Sequence, residues 1–248
     1  MKAALTIDAI EVNFGGFKAV DGMTSVIDDG ELRVILGPNG AGKTTLMDLV
    51  SGKTASTGGK VHLFGRDITN WPEHEIARAG IGRKFQIPSI FRELSVLQNL
   101  EVAVSQEPRV FRNLRLGIPA ADRKRIDEVI DLTGLEPVLE TLAGDLSHGQ
   151  MQWLELGMLI TQQSRVILLD EPTAGMTQGE TSKTADIIMR LKGSHTIIVV
   201  EHDMAFVRKI AEKVTVMHMG KLLAEGPIRS IEADPAVREA YLGTGGLH

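Results

Sequence analysis

Cysteine is missing from all 248 residues, and with it go disulfides, thiolate-ligated zinc and a cysteine nucleophile. A chain without cysteine suits a reducing compartment. Aromatic residues make up only 4% of the sequence, too few for the stacking platforms that hold single-stranded nucleic acid. Positive charge is not in excess either. With 27 Lys and Arg against 32 Asp and Glu, the formal net charge is -5, which argues against a nucleic-acid binder. No apolar run approaches the roughly 18 residues needed to span a bilayer. The longest, such as Val166-Ile167-Leu168-Leu169, are strand-sized. Acidic Asp8 and Glu11 fall where a signal peptide needs an apolar core. The expectation is a soluble, cytoplasmic chain whose membrane role, if it has one, comes through a partner. What is present is 43% hydrophobic residues, enough for the core of one large domain or two small ones.

Apolar runs and helical periods alternate along the chain. Leu5 to Val12, Leu32–Leu36, Val61–Phe64, Gly80–Phe85, Val166–Leu169 and Thr196–Val200 read as strands. Lys43–Val50, Gly179–Leu191 and Met204–Ile210 read as helices. From about Leu94 to Ile160 periods of three and four dominate, as in Val96, Leu97, Leu100 and Val104. The pattern implies a parallel sheet covered on both faces and split by a helical insertion.

Gly37-Pro38-Asn39-Gly40-Ala41-Gly42-Lys43-Thr44 fits G-x-x-x-x-G-K-[ST] between an apolar strand and a helix. Glycines let backbone N–H groups curl around phosphate oxygens, and the helix adds its positive end. Lys43 can reach β- and γ-phosphates, and the Thr44 hydroxyl can ligate Mg²⁺. A second signal is the strand Val166–Leu169 running into Asp170 and Glu171. Ligands gather at the carboxyl ends of parallel strands, so Asp170 is placed to hold a metal and Glu171 to polarise a water. Two solvated acids at a strand exit would look the same. Ser147, in Leu146-Ser147-His148-Gly149-Gln150, is either an anion contact or a plain N-cap. Gln86 and His202 each follow a strand, and alone each is an ordinary polar residue.

Together, in this order, these motifs resemble the ATP-binding-cassette (ABC) ATPases over essentially the whole chain. Gly37–Thr44 is the Walker A loop, Gln86 the Q-loop glutamine, and LSHGQ stands for the signature LSGGQ. Val166–Asp170 is Walker B followed by the catalytic-type Glu171, and His202 is the switch histidine. The resemblance implies an α/β P-loop (RecA-like) core with a parallel sheet, added antiparallel strands and an inserted helical subdomain. Residues 1–88 and 161–248 would form the core with its β subdomain and C-terminal tail, and 89–160 the helical part. It implies ATP hydrolysis with Mg²⁺, with Thr44, Gln86 and Asp170 on the metal and Lys43, Gln86, Glu171 and His202 in catalysis. Nucleotide contacts would come from Gly37 through Thr45 and from Ser147, Gly149 and Gln150. Phe14 would stack on adenine, unless it is a core residue. The family also implies a head-to-tail dimer with itself or a homologous cassette, two permease subunits, and a periplasmic or extracellular solute-binding protein reached through the complex. The place of work would be the cytoplasmic face of the inner membrane.

Two departures stand out. His148 replaces a signature glycine, so that position should not need a positive φ. Thr177 stands where many relatives carry an Asp that couples the two sites of the dimer. Within the family the chain looks most like importers of branched-chain amino acids and urea, through Phe14-Gly15-Gly16-Phe17-Lys18-Ala19-Val20, Glu201-His202-Asp203-Met204 and the ending Ala240-Tyr241-Leu242-Gly243. The altered signature and Thr177 look like the urea-type D subunit, which puts urea first and branched-chain amino acids second. A non-transport ABC ATPase, the third reading, usually carries two cassettes in one chain or a long coiled-coil insertion, so a single cassette with a modest helical insert favours a transporter subunit. The basic stretch Arg109 to Arg125 reads as a solvated face.

Overall fold

The computed structural model describes residues 2–84, 90–104 and 118–242. Gln86 and the arginines at 109, 112 and 115 lie outside them. The chain divides into two units: Met1–Arg83, Arg165–Pro172 and Leu191–His248 form one, and Lys84–Ser164 with Thr173–Arg190 form the other.

The first unit starts with a hairpin of two long strands, β1 (Ala3–Phe14) and β2 (Phe17–Asp28). Gly15 and Gly16 turn the chain at φ 58° and 101°, a conformation that favours glycine in two-residue hairpins. β4 (Gly58–Leu63) and β5 (Arg66–Asp67) complete an antiparallel sheet in the order β2-β1-β4-β5.

The second sheet has the order β10-β9-β3-β8-β7-β6. β3 (Leu32–Leu36), β7 (Val166–Asp170) and β8 (Thr196–Val200) are buried at every position, as apolar runs covered on two faces must be. β3 pairs in parallel with β8 and with β9 (Lys213–His218), and β7 with β8. β6 (Ile81–Lys84) lies at the far edge. The parallel arrangement expected from the sequence therefore holds at the centre. The sheet is nevertheless mixed, because β10 (Lys221–Pro227) runs antiparallel to β9 through a tight turn at Met219 and Gly220. Leu5, Ile7 and Ile10 of β1, Ile35 of β3, Leu168 of β7 and Leu46 and Met47 of α1 (Lys43–Val50) share one core cluster. Each such side chain contributes roughly 1.5–3 kcal/mol on leaving water.

Arg33 is fully buried inside β3, and its charge is met from several strands. Its Nε lies 2.5 Å from Glu31 Oε1 and its Nη1 2.5 Å from Glu225 Oε2. Nη1 also donates to Thr215 Oγ1 at 2.9 Å and Ser25 Oγ at 3.1 Å, and Nη2 to the Val26 carbonyl at 3.0 Å. A buried charge survives only with such company, and here it binds β2, β3, β9 and β10 together. α2 (Glu73–Ala79), α7 (Met204–Ile210), α8 (Ile228–Ala233) and α9 (Pro235–Leu242) complete this unit.

The second unit is helical. α3 (Val96–Val104), α4 (Ala120–Thr133) and α5 (His148–Thr161) pack on one another, and α6 (Gln178–Leu191) joins them up to Arg190. A Cβ on Gly157 would lie 2.9 Å from Val129 Cγ1, so the glycine lets α4 and α5 approach closely. Trp153 of α5 donates from Nε1 to Thr184 Oγ1 of α6 at 3.0 Å, with the Lys183 ammonium 3.8 Å over its ring. No helix among the described residues is long and apolar enough to cross a membrane.

Candidate active site

The loop between β3 and α1 is built by close approach. A Cβ on Gly37 (φ 155°) would lie 2.3 Å from the Met217 carbonyl oxygen, and one on Gly42 (φ 96°) 2.4 Å from that of Ala19. Only glycine lets the loop lie this close to β9 and β2. α1 starts at Lys43 with no side-chain cap and no acid in its first turn. Its first N–H groups are therefore free of side-chain competition for an anion. Lys43 Nζ donates to the carbonyls of Gly37 at 2.7 Å and Pro38 at 3.1 Å. Burial pushes the Lys43 ammonium below its ordinary pKa, and the charges of Glu171 and Asp170 push back.

Above the loop is a cleft of about 270 Å³, lined by Phe17, Ala19, Asn39, Gly40, Ala41, Gly42, Lys43, Thr44, Thr45 and Glu171. Two consecutive acids at the end of β7 face different surroundings. Asp170 is buried, and neither carboxylate oxygen makes a hydrogen bond of ordinary geometry. Burial raises its pKa, while Arg83, 3.6 Å from Oδ2, and the Thr44 hydroxyl pull it down. Arg83 is fixed in turn by Asp48 at 2.5 Å and Ser51 at 2.8 Å. Glu171 has φ 48°, a left-handed backbone rare for a side-chain-bearing residue. Its N–H donates to the Val200 carbonyl at 2.9 Å. The bend lets the Glu171 carboxylate line the cleft while its neighbour stays buried. His202 Nδ1 is 3.5 Å from Glu171 Oε1, and its backbone N–H is held by buried Glu201 at 3.0 Å.

A buried carboxylate with unsatisfied oxygens beside a threonine hydroxyl suits a hard divalent cation. The described residues contain no cluster of three or more His, Cys, Asp or Glu that would cage a metal alone. The donor set fits Mg²⁺, which completes its shell with water and phosphate.

In the helical unit Ser147 caps α5. Its hydroxyl accepts from the Gln150 N–H at 3.3 Å, and Gln150 Oε1 accepts from the Ser147 N–H at 2.9 Å. His148 is the first helical residue and has no positive φ; its Nε2 lies 2.9 Å from the Ala174 carbonyl. Thr177 donates from both N–H and Oγ1 to Glu180 Oε2, at 2.9 Å each.

Asn39 to Thr45 and Glu171 thus share one cleft, with Asp170 beside Thr44 and His202 beside Glu171. Ser147, Gly149 and Gln150 belong to the other unit, and Gln86 lies outside the described residues. The Phe14 ring is 53% exposed, so it is not a core residue, yet it is Phe17, 67% exposed and opposite it across the hairpin, that lines the cleft. Sequence reading missed Phe17, although the spacing of two Phe residues about a Gly-Gly turn puts both at the hairpin tip. It also missed Arg83 and Tyr241. Burial pushes the Tyr241 phenol up to about 12, against the pull of the Gly37 backbone N–H, which brings α9 to the phosphate loop.

A family model described as ABC transporter matches residues 20–174. The chain belongs to the ABC transporter family of ATP-binding cassettes. It binds and hydrolyses ATP. A second model, described as branched-chain amino acid ATP-binding cassette transporter, matches residues 221–246. The cassette is 33% identical to the high-affinity branched-chain amino acid transport ATP-binding protein BraF of Pseudomonas aeruginosa, over 96% of this chain and 97% of that protein. It is 34% identical to the corresponding LivG of Salmonella typhimurium, with the same coverage. Among solved structures, an ABC transporter cassette in its ADP conformation is 30% identical with a TM-score of 0.85, covering 98% of this chain and 100% of that one. A nucleotide-free cassette is 28% identical with a TM-score of 0.81, covering 96% and 98%.

Proposed function

We propose that this cassette is the ATP-hydrolysing subunit of a solute importer of the branched-chain amino acid type. The observation that carries the reading is the similarity to BraF and LivG over nearly the whole chain. The sequence reading puts urea first. The names of the relatives favour the second-ranked cargo, and urea rests only on local features such as His148 and Thr177. The cassette works on the cytoplasmic membrane face with two permease subunits and a solute-binding protein. Residues 1–88 and 161–248 serve as its nucleotide-binding core and 89–160 as the helical arm.

The residue roles are read from the motifs, supported by the shared cleft of Asn39 to Thr45 and Glu171. The loop from Gly37 to Thr45 cradles the phosphates, with Lys43 opposing their charge. Thr44, Asp170 and Gln86 would hold Mg²⁺, which, when bound, would offset charge developing on the transferred phosphoryl group. Glu171 takes a proton from the attacking water, and His202 orients it and faces the γ-phosphate. Phe17, with Phe14 beside it, offers a face to adenine. The site is completed by Ser147, Gly149 and Gln150 of a second cassette, identical or homologous. Closing the pair excludes water and strengthens these charge contacts.

Uptake in a strain deleted for this chain tests the cargo. Deletion is expected to stop high-affinity uptake of labelled leucine or valine, and Lys43→Ala to fail to restore it. Loss of urea uptake with leucine and valine spared would reinstate the urea reading.

A further inference from the structure

Donors from two segments converge on one carboxylate at the start of α5. Ser147 Oγ donates to Glu180 Oε1 at 3.3 Å, while Oε2 accepts both bonds from Thr177. The Gly149 backbone lies close against the same oxygen. A Cβ on Gly149 would lie 2.4 Å from Glu180 Oε1 and 2.6 Å from its Cδ. Glycine at 149, unlike the His at 148, is thus what makes room for this side chain. α5 has no acid in its own first turn. Glu180, reaching over from α6, supplies the negative charge that a helix N-terminus attracts. The Thr177 N–H first, then the Thr177 hydroxyl, Ser147 and Gly149 keep the carboxyl below its ordinary range, so it is ionised at neutral pH.

Resting on the two-cassette reading above, we infer that Glu180 is a resident anion on the signature loop: its carboxylate holds the Ser147 hydroxyl and fills the space against the Gly149 backbone that must otherwise receive the γ-phosphate of ATP held by a second cassette. One set of donors cannot serve two anions, so Oε1 has to leave before the pair closes. Thr177 keeps the displaced side chain on its own helix, because Oε2 and the Thr177 donors form a capping box independent of Ser147. An Asp at 177 would place a second carboxylate beside Glu180 and remove the hydroxyl donor, which gives the Thr177 departure a physical reason. Glu180 acts through Ser147 and is a positioning residue that sets how readily the pair closes.

The test is ATP-dependent self-association in a Glu171→Gln background, followed by sedimentation across a protein dilution series. Glu180→Gln keeps a capping-box side chain but removes the charge. Half-maximal association is expected at about ten-fold lower protein concentration, the scale of one charge-assisted hydrogen bond. ATP affinity of the dilute monomer is expected to stay unchanged. Glu180→Asp, shorter but still able to cap, should shift association the same way and covers the case in which the glutamine variant folds poorly. A role limited to stabilising α6 would lower the melting temperature without tightening association. Unchanged or weaker association in both variants overturns the proposal. Ser147→Arg separates the two layers. If it abolishes association while the Glu180 variants leave it unchanged, the two-cassette reading stands and the resident anion falls. If neither has an effect, both fall.

Discussion

Asp170 and Glu171 are one peptide unit apart and serve opposite surroundings, which a regular strand alone does not explain. Strand alternation sends successive side chains to opposite faces, but the left-handed backbone at Glu171 bends the chain as it leaves the sheet. Such strain costs of order 1–3 kcal/mol and persists where the surroundings impose it. Here the bond from the Glu171 N–H to Val200 does so. Glu171→Gln should keep ATP binding and lower turnover by roughly 10²–10⁴-fold, the usual loss for a positioned base. Turnover and nucleotide binding measured side by side decide it, and near-normal turnover would remove Glu171 from the chemistry. The acids themselves were legible, because an apolar run ending in Asp-Glu is a local pattern. Their environments were not. Arg83 and Thr44, which flank Asp170, come from distant parts of the sequence, and Glu180 lies 33 residues from the Ser147 it touches.

At the level of elements, the buried Arg33 shows how the sheet is fastened. Glu225→Ala would leave a guanidinium buried with a main partner gone, and breaking a buried pair costs about 3–5 kcal/mol. Denaturant unfolding is expected to show a loss near the lower end, because Glu225 is partly exposed. Replacing the pair with Arg33→Met and Glu225→Leu should recover most of it. If Glu225→Ala unfolds like the wild type, Arg33 does not depend on this pair. β3, β7 and β8 were readable as strands because burial on both faces makes them continuously apolar. β9 and β10 were not, since their pattern is half-polar and Lys213, Thr215 and Glu225 gain their meaning from partners across the sheets. The helices at 43–50, 179–191 and 204–210 were legible from their periodicity and flanking loops to within a residue.

For the whole molecule, the cleft holds loop, lysine and Glu171 within one unit, while the signature donors belong to another. On the proposed reading, one cassette carries both halves of a site that a second, identical or homologous cassette completes. ATP turnover per molecule over a wide protein dilution series measures this most directly. The rate should rise with protein concentration as ATP-bound pairs form, and Ser147→Arg should abolish that rise while nucleotide binding persists. A rate per molecule that stays flat across the series, with no associated species present, would contradict it.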